Sequence, residues 1–157
     1  MPKYLFLQYL RSSAANKIDF STRNTPQFRN YFSYETFMYL NITQISNDKN
    51  IQDSFTDIIQ SIIRNYTPQK IVLFGSYARG EAHEGSDIDL MVIKETSKRF
   101  IDRIADVIQL NKTLLTLEPM VYSPLEFETM KKEKRDFIMT IEEEGIEIYD
   151  ERSGKMA

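Results

Sequence analysis

From residue 51 onward, apolar positions recur in short regular blocks. Phe55, Ile58, Ile59, Ile62 and Ile63 return at helical spacing, which predicts an amphipathic helix over 51–65, ended by Thr67-Pro68. Ile71-Val72-Leu73-Phe74 is an unbroken apolar run of strand length, and Gly75-Ser76 turns it into a short helix starting near Ala78. Ile88, Leu90, Met91, Val92 and Ile93 predict a second buried strand. Ser97 is placed to cap a further helix, whose apolar face would be Phe100, Ile101, Ile104, Val107 and Ile108. Residues 116–122 read as a third strand. Ser123-Pro124 opens another helix, with Pro at its first position and Glu126 and Glu128 in its early turns. A helix over 136–144, closed by Gly145, leads to a final strand through Ile146, Ile148 and Tyr149. The order is thus helix, strand, helix, strand, helix, strand, helix, helix, strand, which predicts a domain of mixed helix and sheet.

The first 50 residues differ. They hold 10 of the chain's 19 Tyr and Phe residues, no glycine, and six Lys or Arg against three Asp or Glu. Tyr31, Phe32, Tyr34, Phe37 and Tyr39 cluster tightly. This segment is expected to be an extension that packs its aromatic rings on the main domain or on a dimer mate, with a nucleic-acid stacking surface or a poorly ordered extension as the alternatives. The domain proper is expected over 51–150, with a tail over 151–157.

Composition narrows the function. The formal net charge is −3 and the pI about 5.3, which does not favour a nucleic-acid footprint. The chain has no cysteine, which removes disulfides, thiolate zinc sites and a thiol nucleophile. No apolar run approaches the roughly 18 residues of a membrane span, and the expected location is the cytoplasm.

Chemistry concentrates in two short stretches. Gly75-Ser76 at a strand end lets a ligand approach the main chain, and the amides and hydroxyl there suit a phosphate. Alone, the same turn also serves as a plain structural corner. Asp87 and Asp89 are two apart in a strand, so both carboxylates project to one face. Like charges so placed favour proton uptake or a shared hard cation such as Mg²⁺; taken alone, the pair also reads as two exposed acids at a solvated strand end. Glu118 is an acid in an otherwise apolar strand. If that strand lies beside Asp87 and Asp89, three carboxylates converge, and Glu118 could act as base. Arg79 either contacts phosphate or pairs with a local acid. His83 reads as a solvated loop residue, and Glu142 to Glu144 as a solvated helix face.

The stretch from Leu73 to Ile93, with Gly75-Ser76, ten residues, then Asp87-Ile88-Asp89, resembles the GSx10DxD pattern of the DNA polymerase β-like nucleotidyltransferases. Its fuller wording, LFGSYARG…SDIDLMVI, is similar to the minimal nucleotidyltransferase (MNT) group. The resemblance covers about residues 51–149 and implies the polymerase-β-like nucleotidyltransferase fold, of class α+β, a small mixed sheet with flanking helices. It implies that Ser76 binds the triphosphate and that Asp87, Asp89 and Glu118 hold two Mg²⁺ ions, with ATP as substrate; Gly75 and Arg79 stand beside Ser76 as candidate nucleotide contacts from the residues themselves. Many relatives carry Asp where Glu118 stands, and Pro119 inside the same strand suggests a sheet edge or a bulge.

Members of that group commonly pair with a HEPN-domain protein. The resemblance therefore implies a type VII-like antitoxin that transfers AMP to a tyrosine of a HEPN ribonuclease toxin, either as a homo-oligomer or in a hetero-oligomer with the toxin. No substrate-binding domain is read after residue 149, as expected if a docked partner supplies the acceptor. Two other readings stand beside it. One is the same chemistry on a small molecule such as an aminoglycoside. The other is a non-catalytic antitoxin that neutralises its partner by binding.

Overall fold

The computed structural model describes residues 42 and 44–154, so the aromatic cluster at 31–39 and residues 155–157 lie outside the described residues. Helix α1 spans Lys49–Tyr66. Asp48 caps it by accepting from the Asn50 amide at 2.8 Å, and Thr67 ends it in the left-handed conformation, φ 47°, just before Pro68. One face of α1, through Phe55, Ile58, Ile59, Ile62 and Tyr66, is buried.

Four strands follow: β1 Lys70–Phe74, β2 Ile88–Ile93, β3 Leu117–Tyr122 and β4 Ile146–Asp150. Their order is β3-β2-β1-β4, with β1 antiparallel to both β2 and β4, and β2 parallel to β3. The parallel pair needs a crossover, and helix α3, Phe100–Ile108, lies between the two strands in the chain. The remaining helices are α2 Gly75–Arg79, α4 Pro124–Lys132, α5 Asp136–Glu144 and the short α6 Glu151–Gly154. The sheet is thus small and mixed, as expected, and β3 is an edge strand, which accommodates Pro119.

Alternation along the strands divides the core. Ile71, Leu73, Ile88, Leu90, Val92, Leu117 and Val121 face the large core shared with α1. On the other face Val72, Met91 and Ile93 meet Ile141 of α5, with Phe74, Tyr122 and Phe127 at the margin. Both faces are covered, so the apolar run Leu90–Ile93 shows no polar position. Gly145 follows α5 in extended backbone rather than a left-handed cap; a Cβ there would lie 2.3 Å from the Ile141 carbonyl oxygen and 2.7 Å from Val72 Cγ1. Close approach is what selects glycine at this point.

Three local expectations are corrected. Helix α2 begins at Gly75 rather than near Ala78, because the backbone enters the helix directly from Phe74. Arg99, not Ser97, is the N-cap of α3. The predicted apolar face of α3 also fails: Val107 is buried, but Phe100, Ile101 and Ile108 are 40%, 63% and 46% exposed. The buried neighbour of Val107 on this helix is Arg103, 7% exposed. Its guanidinium donates to the Lys98 carbonyl at 2.7 Å and to Glu126 Oε2 at 2.6 Å. A nine-residue window of apolar spacing cannot register such a tertiary partner. The tail begins as α6, and no helix among the described residues is long and apolar enough to cross a membrane.

Glu126 ties three elements together. It completes the capping box of α4 by accepting from the Ser123 amide at 2.7 Å while pairing with Arg103. The Arg103 guanidinium, aided by the Ser123 amide, holds its carboxyl below the ordinary 4.5. The unfolded chain therefore binds more protons in this range, and stability is lost as pH falls from about 5 through the folded-state value. Glu126→Gln is expected to cost about 1–2 kcal/mol at neutral pH and to flatten that acid limb, as read from urea denaturation at several pH values.

Candidate active site

Strand register assembles the site. Phe74 of β1 stands opposite Asp89 of β2, and Asp89 stands beside Glu118 of β3. Matched positions on adjacent strands project to one face, so these three side chains form a row across the sheet. The row lies at the end of the face whose interior is Val72, Met91 and Ile93. Phe74 in turn meets Phe137 of α5 edge to face, with ring centroids 5.5 Å apart.

Gly75 is locked into this row. Its φ is +71°, and a Cβ placed on it would fall 2.1 Å from Asp89 Oδ2 and 2.9 Å from Asp89 Cγ. The carboxylate of Asp89 occupies the space a side chain would need. Immediately after it, Ser76 is half-buried, and Tyr77 is buried in the large core. Tyr77 thereby anchors the five-residue helix α2 and fixes Ser76 and the first-turn amides beside Asp89. Gly80 closes α2 with φ +72°.

The carboxylates repel. Asp89 has its pKa raised, first by burial and then by the charges of Glu118 and Asp87, and Glu118 is close enough to share a hydrogen bond with its protonated form. Asp87, half-buried, precedes β2, and its charge also reaches the Tyr77 hydroxyl, whose pKa burial raises first. Glu118 is exposed on the edge strand, open to an incoming group.

The structure thus brings together Gly75, Ser76, Asp89 and Glu118, with Asp87 at the approach. Arg79 turns to acids, pairing with Glu81 at 2.8 Å and Glu144 at 3.4 Å. His83 is an exposed loop residue with Nδ1 2.9 Å from the Glu84 carbonyl oxygen. The Phe74–Phe137 pair beside the row went unmarked in the sequence, since the two phenylalanines are 63 residues apart and nothing local joins them.

The polymerase beta nucleotidyltransferase family model matches residues 57–153, which hold every residue of this row. The chain belongs to that family. It is a minimal nucleotidyltransferase of the polymerase-β-like superfamily and has that fold. A protein of Methanocaldococcus jannaschii, provisionally named a protein adenylyltransferase, is 34% identical over 84 residues, covering 50% of this chain and 77% of its own. A second such protein of the same organism is 31% identical over 105 residues, 66% of this chain and 99% of its own. A provisionally named nucleotidyltransferase of Sulfolobus solfataricus aligns at TM-score 0.46 and 15% identity, covering 73% of this chain and 89% of that one. The family assignment rests on the sequence matches.

Nucleotidyltransferases of this family generally use a divalent metal. The donor chemistry here fits one: all three acids offer hard oxygen ligands, and a cation would relieve the repulsion that adds to burial in raising the Asp89 pKa. Among the described residues no three such side chains are yet gathered tightly enough to hold an ion as they stand.

Gly75→Ala is expected to cost about 2 kcal/mol or more, from the positive φ and the displaced Asp89 side chain, measurable by chemical denaturation. Glu118→Gln is expected to lower the Asp89 pKa toward the ordinary aspartate range, because one of the charges that raise it is removed. Carboxyl ¹³C NMR titration of the metal-free chain reads this directly, and an unmoved Asp89 would show that Glu118 does not contribute to the raised value, leaving burial and Asp87 as its causes.

Proposed function

We propose that the chain is a cytoplasmic protein adenylyltransferase that moves AMP from ATP to a tyrosine of a HEPN ribonuclease toxin and so acts as its antitoxin. The observation that carries the transfer chemistry is the close contact of Gly75 with Asp89, beside Glu118 on the neighbouring strand. The names of the two Methanocaldococcus relatives support a protein acceptor. The HEPN partner, the tyrosine and the antitoxin role rest on the family resemblance of the motif. In this reading residues 51–150 form the transferase domain.

Ser76 and the amides of the Gly75 turn would hold the triphosphate oxygens. Asp87, Asp89 and Glu118 would hold Mg²⁺, which when bound neutralises phosphate charge and orients the triphosphate. Glu118, the exposed member of the row, receives the phenolic proton of the acceptor tyrosine. The tyrosine oxygen forms a bond to the α-phosphorus as the α–β phosphoanhydride bond breaks, and pyrophosphate leaves with that electron pair. Arg79 reaches phosphate in this reading only by leaving Glu81 and Glu144, both exposed pairs of small worth.

The test is the intact mass of the HEPN protein encoded beside this chain after incubation with the chain, ATP and Mg²⁺. The expected result is a gain of one or more AMP units. Asp87→Asn and Asp89→Asn are each expected to slow that gain at least about a hundredfold. An unmodified partner held in a stable, inactive complex would instead establish neutralisation by binding.

A further inference from the structure

A second site lies at the other end of the sheet. Gly75 follows the end of β1 and Asp87 precedes β2, so the carboxylate row marks one end. Tyr66 and Thr67, just before β1, and Lys94, just after β2, line an open cavity of about 750 Å³ at the opposite end. That volume lies within the roughly 300–1,000 Å³ of small-molecule sites.

Two features of its lining point to a ligand. Tyr66 is 8% exposed, and its hydroxyl is buried with no hydrogen-bond partner. Buried hydroxyls are rarely left in that state. The phenol stays protonated: burial raises its pKa most, then Asp106, against the opposing charges of Lys98 and Arg103. The second feature is charge. Lys94, Lys98 and Lys112 line the cavity with Asp106 as the opposing acid. Lys98 pairs with Asp106 at 2.7 Å, whereas Lys94 and Lys112 have no carboxylate partner among the described residues. Lys94 is held over the Tyr66 ring, 5.0 Å from its centroid, and donates to Thr67 Oγ1 at 3.1 Å.

We propose that this cavity binds a small phosphate-bearing ligand, with Lys94 and Lys112 matching the phosphate charge and the Tyr66 hydroxyl donating to the bound molecule. The lining cations are all lysines, compact point charges suited to a phosphate, whereas planar carboxylate recognition favours arginine. Lys98 and Asp106, whose charges both reach the Tyr66 hydroxyl, form a partly exposed pair with side chains 58% and 31% exposed, so rearranging it for a ligand costs little. The site is independent of the transferase row and shares no residue with it.

The test is a titration of the ¹⁵N-labelled full chain, without Mg²⁺, using ribose 5-phosphate and, separately, AMP. Saturable amide shifts are expected at Thr67, Lys94 and Asn111. A response to both probes identifies a phosphate site indifferent to the base, and a response to AMP alone identifies a nucleotide site. The double variant Lys94→Met, Lys112→Met is expected to weaken binding more than tenfold. Tyr66→Phe, which keeps the ring and its packing, is expected to weaken it about three- to tenfold. Shifts confined to residues 75–79 and 87–89, or binding at the cavity that both variants leave unchanged, would overturn the proposal.

Discussion

The close approach of Gly75 to Asp89 is the constraint on which the rest of the site depends. It exists because β1 and β2 are antiparallel neighbours in a register that sets Phe74 opposite Asp89. The turn leaving β1 then has to pass under the Asp89 carboxylate, where only a residue without Cβ fits. A one-residue slip of register would move Asp89 to the other face of the sheet and into the large core. The cost of burying that carboxylate guards against the slip, since the apolar runs of β1 and β2, buried on both faces, would tolerate it.

From this contact the other parts follow outward. Tyr77 pins α2 to the large core, so Ser76 is held beside Asp89 rather than left on a free loop. The parallel pairing of β2 and β3 brings Glu118 alongside, at the cost of a crossover helix. That crossover is secured by the buried Arg103 and its ion pair with Glu126, which also caps α4. Burial first, and then the charges of Glu118 and Asp87, raise the Asp89 pKa where a cation and a triphosphate would relieve the repulsion. This is the pattern of a functional site whose unliganded form is electrostatically costly.

The sheet divides the protein into two ends of unlike charge. The carboxylate row is acidic and sits where β1 ends and β2 begins. The opposite end gathers lysines around a buried, unpaired tyrosine hydroxyl. Each end lies beside strand termini, where backbone leaves the sheet and side chains from different elements can converge.

Much of this was legible in the residues. The helical spacing of Phe55 to Ile63, the apolar runs at 71–74 and 88–93, and the Ser123-Pro124 start of a helix are local signals, and each element formed close to its expected bounds. The Gly75-Ser76 and Asp87-Ile88-Asp89 stretches named the family, because their spacing is fixed by one hairpin-like pairing. What was not legible depends on contacts distant in sequence. The buried face of α3 is not legible in its own residues because Arg103 finds Glu126 23 positions on, which no helical period encodes. The Phe74–Phe137 pair and the Tyr66 cavity likewise join segments that only folding brings together. Sequence by itself determined which segments would be helix and strand and which acids could meet, since those follow from local periodicity and alternation. Tertiary structure alone decided that Asp89 and Glu118 touch while Asp87 waits at the approach, because strand order and register are set by the packing of the whole sheet.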